Sequence, residues 1–344
     1  MLSRRDFNRQ AAIGGLSAIT GLIGIGCEKR VEEPARLSGG SAPGGAGGAR
    51  GRSLTIGMIA KSQSNPVFLA ARKGAEARAA ELSDREIPVT IKWETPNDED
   101  PQRQAEFIEQ LTAGGIDAIT IACSDAGKVT RAIDAAVDKG VQVMCFDSDA
   151  PESKRLCYVG TDDAEAGRQV MRGVAELLGD RPGTIAILAG NQSATNLQKR
   201  VRGAEDELAR HANLKLKRVY YHKETPQDSY AEVESAQKAN PEINGWAMIG
   251  GWPLMTERAL PWKPGEVVCV SMDTLPTQLG HLRTGDVQVL LGQQYFYFGS
   301  QCVDLLVAKI RDGLEPQKTI DFAPLDRVTP KNVDEYAKNW EKWQ

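Results

Sequence analysis

From Leu54 onward, short apolar runs alternate with longer stretches in which apolar positions fall at helical spacing, and polar residues separate the two. The first unit is the clearest. Residues 54–60 form a continuous apolar run, and Lys61-Ser62-Gln63-Ser64-Asn65-Pro66 is a polar loop. Val67, Ala70, Ala71, Gly74, Ala75 and Ala79 then recur on one helical face. Pro66 suits a first helical turn, where its missing N–H costs nothing, and it keeps Asn65 extended. The same pattern predicts strands over 88–93, 116–122 and 142–146, with helices over 101–113 and 126–139. Gly114-Gly115 stops the first of these helices.

The alternation restarts after Tyr158-Val159-Gly160-Thr161-Asp162-Asp163. Helices are expected over 164–178, about 197–211, 229–239 and 298–310. Strands are expected over 183–189, 214–221, 245–249, 267–272 and 287–292, and a polar tail follows. Two successive halves of this kind specify an α/β fold: two Rossmann-like lobes, each a parallel sheet covered on both faces, with a cleft between them. In such sheets ligands sit beyond the carboxyl ends of the strands. Those ends carry Asn65, Asp125 and Asp147 in the first half, and Asn191, Asn196, Asp273 and Gln293 in the second, with Phe68 and Trp252 beside them. Carboxylates accept from hydroxyls, amides both donate and accept, and aromatic faces stack on C–H surfaces. That combination suits a polyhydroxylated ligand.

Residues 1–52 follow a different logic. Arg4, Arg5 and Arg9 precede an apolar, glycine-rich run over 11–26, which is too short and too rich in glycine for a membrane span and reads as an export signal. Ser3-Arg4-Arg5-Asp6-Phe7 resembles the twin-arginine export signature. Cys27 closes a run that resembles a bacterial lipoprotein box, with Gly24 where a larger aliphatic residue is usual, so lipidation is expected at Cys27. Residues 27–52 include SGGSAPGGAGGARGR, which cannot bury enough apolar surface to offset its ordering entropy and reads as a flexible tether. The expectation is an export signal over 1–26 and a module held at the outer or periplasmic side of a membrane.

A net charge of −4 without a basic block argues against nucleic acid. Of six cysteines, five follow Cys27, most of them in apolar runs, so buried thiols are expected in place of a disulfide framework. Three histidines without ligand spacing, no nucleophile elbow, no HExxH and no phosphate loop predict no catalytic residue, no metal and no cofactor.

Taken together, these loops resemble periplasmic sugar-binding proteins of the ribose-binding type, the solute-binding components of sugar ABC transporters. The resemblance covers about residues 54–320. It rests on Asn65-Pro66-Val67-Phe68, on Phe146-Asp147-Ser148-Asp149-Ala150-Pro151, and on Tyr158–Asp162 with Ala166-Gly167. It rests also on Asn196-x-x-x-Arg200-x-x-Gly203, on Val270-Ser271-Met272-Asp273, and on Gln293 with Gly299. It implies the type I periplasmic binding protein fold, with three crossings between lobes. One lobe would comprise 54–160 with 295–321, and the other 161–294 with 322–344. It implies ligand binding by Asn65, Phe68, Asp147, Asn196, Arg200, Asp273 and Gln293, with hinge closure over the ligand.

Two departures bear on the ligand. An Arg common after the first Asp is Ser148 here, and a second Arg of the Asn196 loop is absent unless Gln198 takes its place. Loss of bidentate donors changes which ring oxygens can be held. Lys61 could supply a charged donor and Trp252 an aromatic face. The expected role is that of a monomeric, lipid-anchored protein that captures a monosaccharide or sugar-like molecule for an ABC permease. The alternatives are a sensor docking on a chemoreceptor or histidine kinase and, less favoured, a glycosidase-like enzyme using Asp147 and Asp273.

Overall fold

The computed structural model describes residues 52–343 apart from Glu86. The export signature, Cys27 and nearly all of the tether lie outside the described residues. Among the described residues no helix is long and apolar enough to cross a membrane.

The first half of the chain runs β1 (Leu54–Ile59), α1 (Val67–Ser83), β2 (Val89–Trp93), α2 (Pro101–Ala113), β3 (Ala118–Ile121), α3 (Ala126–Asp138), β4 (Gln142–Phe146) and β5 (Tyr158–Gly160). The second runs α4 (Asp163–Leu178), β6 (Gly183–Ala189), α5 (Thr195–Leu208), β7 (Leu214–Tyr221), α6 (Pro226–Ala239), β8 (Gly245–Met248), a short 3-10 helix (Trp252–Met255), β9 (Val268–Met272), α7 (Pro276–Thr284) and β10 (Val289–Gly292). Then come α8 (Tyr295–Asp312), β11 (Ile320–Phe322), β12 (Asp326–Val328), α9 (Val333–Ala337) and α10 (Trp340–Trp343).

Two six-stranded sheets result, ordered β11-β5-β4-β3-β1-β2 and β12-β10-β9-β8-β6-β7. Every pairing is parallel except β10 with β12. The chain passes between the sheets after β5, after β10 and between β11 and β12.

The central strands β3, β8 and β10 are buried along their whole length, as strands covered on both faces must be. Period-2 alternation sends neighbouring side chains to opposite layers. Met58 packs beneath α1 and α8, whereas Ile59, Ile119 and Ile121 pack beneath α2 and α3. In the second sheet Ile185 and Ile187 pack with residues of α4 and α5, and Ala186 and Leu188 face the other way.

Helix starts are written locally. Asp100, Asp125, Asp162 and Thr225 each accept a hydrogen bond from the backbone N–H three residues on, and Pro101 and Pro226 occupy first-turn positions. Asp125 is therefore a helix cap.

Expected helix ends move by up to three residues, as where α6 begins at Pro226 instead of 229 and α5 ends at Leu208 instead of 211, and the larger differences lie toward the C-terminus. The last long helix begins at Tyr295 instead of 298, since the aromatic run Tyr295-Phe296-Tyr297-Phe298 is its first turn. Helix α7 was not anticipated, because Pro276 and Gly280 dilute its pattern. The expected polar tail is in fact β11, β12, α9 and α10. Cys123, Cys145, Cys157, Cys269 and Cys302 are free and buried, as their apolar surroundings predict.

Candidate ligand-binding site

The loops that leave the carboxyl ends of the strands in both sheets meet between them, and most of the singled-out side chains are buried there. Asp147 follows β4 and Asp273 follows β9, the third strand in each sheet order. They are the two non-glycine residues with left-handed backbone among those described, at φ 57° and 69°. Each carries its backbone N–H into the sheet, Asp147 to the Val159 carbonyl at 3.1 Å and Asp273 to the Leu291 carbonyl at 2.8 Å. The left-handed kink then turns the carboxylate off the strand line, a conformation that Asp tolerates better than most residues.

Gln293, just after β10, is the hub. Its amide nitrogen donates to Asp273 Oδ1 at 2.9 Å and to the Tyr295 hydroxyl at 2.7 Å. Its amide oxygen accepts from Arg200 Nη2 at 2.9 Å and from Thr161 Oγ1 at 3.0 Å. Arg200, buried on α5, also donates through Nε to Asp163 Oδ1 at 2.9 Å and through Nη1 to the Ile249 carbonyl at 3.2 Å. The helix cap here is Asp162, and Asp163 is the buried counter-ion of Arg200.

The pair is close because α4 touches α5 backbone to backbone. A Cβ on Gly167 would lie 1.9 Å from the Arg200 carbonyl oxygen, so only glycine fits. Burial pushes the Asp163 carboxyl up to about 6, against the Arg200 charge that holds it down. Burial likewise raises Asp273, with the Gln293 amide opposing.

Lys61 follows β1 and is 3 % exposed. Burial alone would lower its pKa, but Glu99, Glu224 and Asp147 together raise it. Burial pushes Glu99 up to about 7, opposed by Lys61 and assisted by Glu224 and Asp147. Glu99 comes from the loop after β2 and Glu224 from the loop after β7, so this cluster draws on both sheets.

The remaining expected residues divide. Phe68 is buried edge-on to Phe146 and Tyr295, at centroid distances of 6.4 and 6.1 Å. Trp252 opens the 3-10 helix, is buried in the core of the second sheet, and meets the His222 ring edge-to-face at 5.0 Å. Asn65 Oδ1 accepts from the Val67 N–H at 3.2 Å, which makes it a local turn former at the start of α1. Asn196 stands one turn before Arg200 but does not join the Gln293 network. It lines a cavity of about 690 Å³ beside the crossing after β5, together with Tyr158, Thr161 and Asp163, and its Oδ1 is buried without a hydrogen-bond partner.

Sequence reasoning passed over Tyr295, Asp163, Glu99 and Glu224. Tyr295 was hidden in an aromatic run that reads as helix core. Glu99 and Glu224 sit among polar residues just ahead of Pro101 and Pro226, where a helix cap explains a carboxylate equally well.

In chemical terms the site offers five carboxylates (Glu99, Asp147, Asp163, Glu224 and Asp273) against two cations, Lys61 and Arg200. Such a site is rich in acceptors, and its complement is a ligand rich in donors.

A family model for a periplasmic binding protein domain matches residues 56–314. The chain is 32% identical over 163 residues to a D-ribose/D-allose-binding protein of Pseudomonas aeruginosa, a match that spans 44% of this chain and about half (49%) of that protein's length. It is 23% identical over 281 residues to a ribose import binding protein of Bacillus subtilis, covering 81% of this chain and 88% of that one. Among solved structures, a solute-binding protein of an ABC transporter from Burkholderia graminis, in complex with D-arabinose, superposes with a TM-score of 0.76 at 26% identity, covering 83% of this chain and 98% of the other. With more than half of its length matched by the model and a fold shared along nearly the whole of that neighbour, the chain belongs to the periplasmic binding protein domain family.

Proposed function

We propose that this protein captures a monosaccharide or sugar-like polyol between its two lobes and delivers it to an ABC importer, without chemistry of its own. The observation that carries this reading is the pair of left-handed strand-end carboxylates, Asp147 and Asp273, the second of them tied through Gln293 to Arg200. Hydroxyl groups donate to the carboxylates, while Arg200 and Lys61 supply donors for ring or carbonyl oxygens. Ribose, allose and arabinose, named for the relatives above, are the first candidates.

The ligand contacts assigned in this reading are Lys61, Phe68, Asp147, Arg200, Asp273 and Gln293, with Tyr295 added. Asn65 and Trp252 act behind them, as a turn and as packing, and Asn196 faces the adjoining cavity. The lobes comprise 54–160 with 295–321, and 161–294 with the C-terminal segment. Closure about the three crossings buries the ligand and presents both lobes to the permease. Export, lipidation at Cys27 and a monomeric state complete the reading, and the charge pattern and relatives both favour a transport role over nucleic acid.

The test is thermal unfolding of the purified protein in pentoses, hexoses, deoxysugars and sugar alcohols. A ligand at a hundredfold excess over its dissociation constant stabilises the folded state by about 2.7 kcal/mol. A saturable shift with one or a few stereoisomers supports the reading, and no shift across the panel contradicts it. Mass spectrometry of the membrane fraction, looking for an acylated N-terminal Cys27, tests the anchor separately.

A further inference from the structure

The segment after β12 is only a part of the second lobe in the reading so far, yet it touches both lobes. It leaves the second sheet through β12, which pairs antiparallel with β10, and α9 stays on that side, with Arg283 Nε bonded to Asp334 Oδ1 at 3.0 Å. From there the chain reaches the turn that carries Asp273. The Tyr336 hydroxyl lies 2.8 Å from Thr274 Oγ1, and the Trp340 indole N–H donates to the Thr274 carbonyl at 2.7 Å. A Cβ on Gly292, the residue before Gln293, would lie 2.6 Å from the Tyr336 hydroxyl, so the tail is seated directly on the site's own strand ends.

The last turn then crosses to the first lobe. The Trp343 ring stacks on Phe296 of α8 at 6.5 Å and 24°, and Trp340 meets Trp343 edge-to-face at 5.3 Å. Both tryptophans line a groove of about 450 Å³ whose other wall is Pro66, Leu69 and Lys73 of the first lobe. They also close a cavity of about 10 Å³ whose floor is Asp273, Gln293 and Tyr295.

We propose that residues 329–343 are a strap, rooted on the second lobe and docked on α1 and α8 of the first, that holds the lobes together over the ligand and positions Asp273. Tyr336 and Trp340 are the positioning residues, since their hydrogen bonds fix Thr274 and with it the left-handed turn of its neighbour. Trp343 is the contact that must break when the lobes separate. The strap thus acts on ligand escape more than on capture, because capture proceeds through the open form in which Trp343 is already undocked.

The proposal rests on the reading that a ligand enters between the lobes, but its first test does not. Small-angle X-ray scattering of the ligand-free full chain is compared with that of Trp343→Ala and of a chain ending at Val328. A larger radius of gyration in both variants, with cooperative unfolding retained, is the expected result. An unchanged radius in Trp343→Ala overturns the strap whether or not any sugar binds and whether or not the shortened chain folds.

The second test uses D-arabinose, D-ribose and D-allose as probes in stopped-flow binding. For whichever sugar binds the parent protein, dissociation from Trp343→Ala should be about tenfold faster or more, with association changed much less. Trp340→Phe keeps an aromatic ring but removes the indole N–H together with the pyrrole half of the ring system, and should likewise speed dissociation. Equal losses in both rate constants, or none, would reduce the tail to ordinary packing. Failure of every sugar to bind the parent protein counts against the sugar reading, and the scattering result still decides the strap.

Discussion

Asp147 and Asp273 occupy the same place in two different sheets, one residue past the third strand in each order, and both hold left-handed backbone. A non-glycine residue in that region carries a conformational cost of roughly 1–3 kcal/mol, lowest for Asp and Asn. The molecule bears that cost twice, at two carboxylates on different sheets that are near enough for the Asp147 charge to help raise Asp273.

Replacing Asp147 by Gly should therefore separate stability from binding. Glycine adopts φ 57° freely, so the ligand-free protein should gain about 1 kcal/mol in urea unfolding while sugar binding is lost. A variant that is both less stable and still able to bind would show that the carboxylate serves the fold and not the ligand.

Arg200 and Asp163 form a buried ion pair in which the guanidinium also serves a carbonyl and the Gln293 amide. Arg200→Ala leaves the Asp163 charge without its partner and should cost about 3–5 kcal/mol of stability. Combining it with Asp163→Asn should recover a large part of that loss, because the stranded charge is gone. Denaturant midpoints of the two single variants and the double variant give the coupling directly; additive losses would contradict it.

Acid should stabilise the ligand-free protein over part of the weakly acidic range. Glu99 and Asp163 are raised to about 7 and about 6 from ordinary values of 4.5 and 3.8, so the folded state keeps protons that the unfolded state has already released. Their contribution is fully present below pH 4 to 4.5 and is lost as pH rises through about 6 and then about 7. Thermal midpoints should fall between pH 5 and pH 7.5, and Glu99→Gln should flatten the upper part of that fall. A midpoint that rises across the same interval in the parent protein would refute the assignment.

Gly167→Ala tests how the site is held from behind. Its Cβ would stand 1.9 Å from the Arg200 carbonyl, so α4 and α5 must move apart, at a cost of about 1–3 kcal/mol for overpacking. Because Arg200 moves with α5, affinity should drop as well, although Gly167 itself lies outside the cleft. Wild-type affinity in this variant would mean that the α4–α5 contact does not set the position of Arg200.

Much of this architecture could be read from the chain. Strand and helix alternation is a local signal, and buried parallel strands such as Ala118–Ile121 announce themselves as unbroken apolar runs. Asp147, Asp273 and Gln293 were visible because each ends such a run. What was not legible was pairing across long separations. That Arg200 would choose Asp163 over its other acidic neighbours depends on a helix contact that only Gly167 and Gly203 hint at. Glu99 and Glu224 meet Lys61 only once two sheets face each other. The tail was misread for a simpler reason. Val333, Tyr336, Trp340 and Trp343 do keep helical spacing, but lysines, glutamates and asparagines between them gave the stretch a polar composition.

Calorimetric titration of D-arabinose, D-ribose and D-allose into the parent protein and into the Asp147→Asn, Asp273→Asn double variant tests the central claim most directly. Each replacement keeps the side-chain shape and the tolerance for left-handed backbone while removing the charge. A hydrogen bond to a charged group contributes about 1.5–3 kcal/mol, so the account predicts saturable binding by the parent and a loss of at least tenfold in the double variant. Undiminished affinity in the double variant would contradict it, because the two strand-end carboxylates would then have no part in holding the ligand.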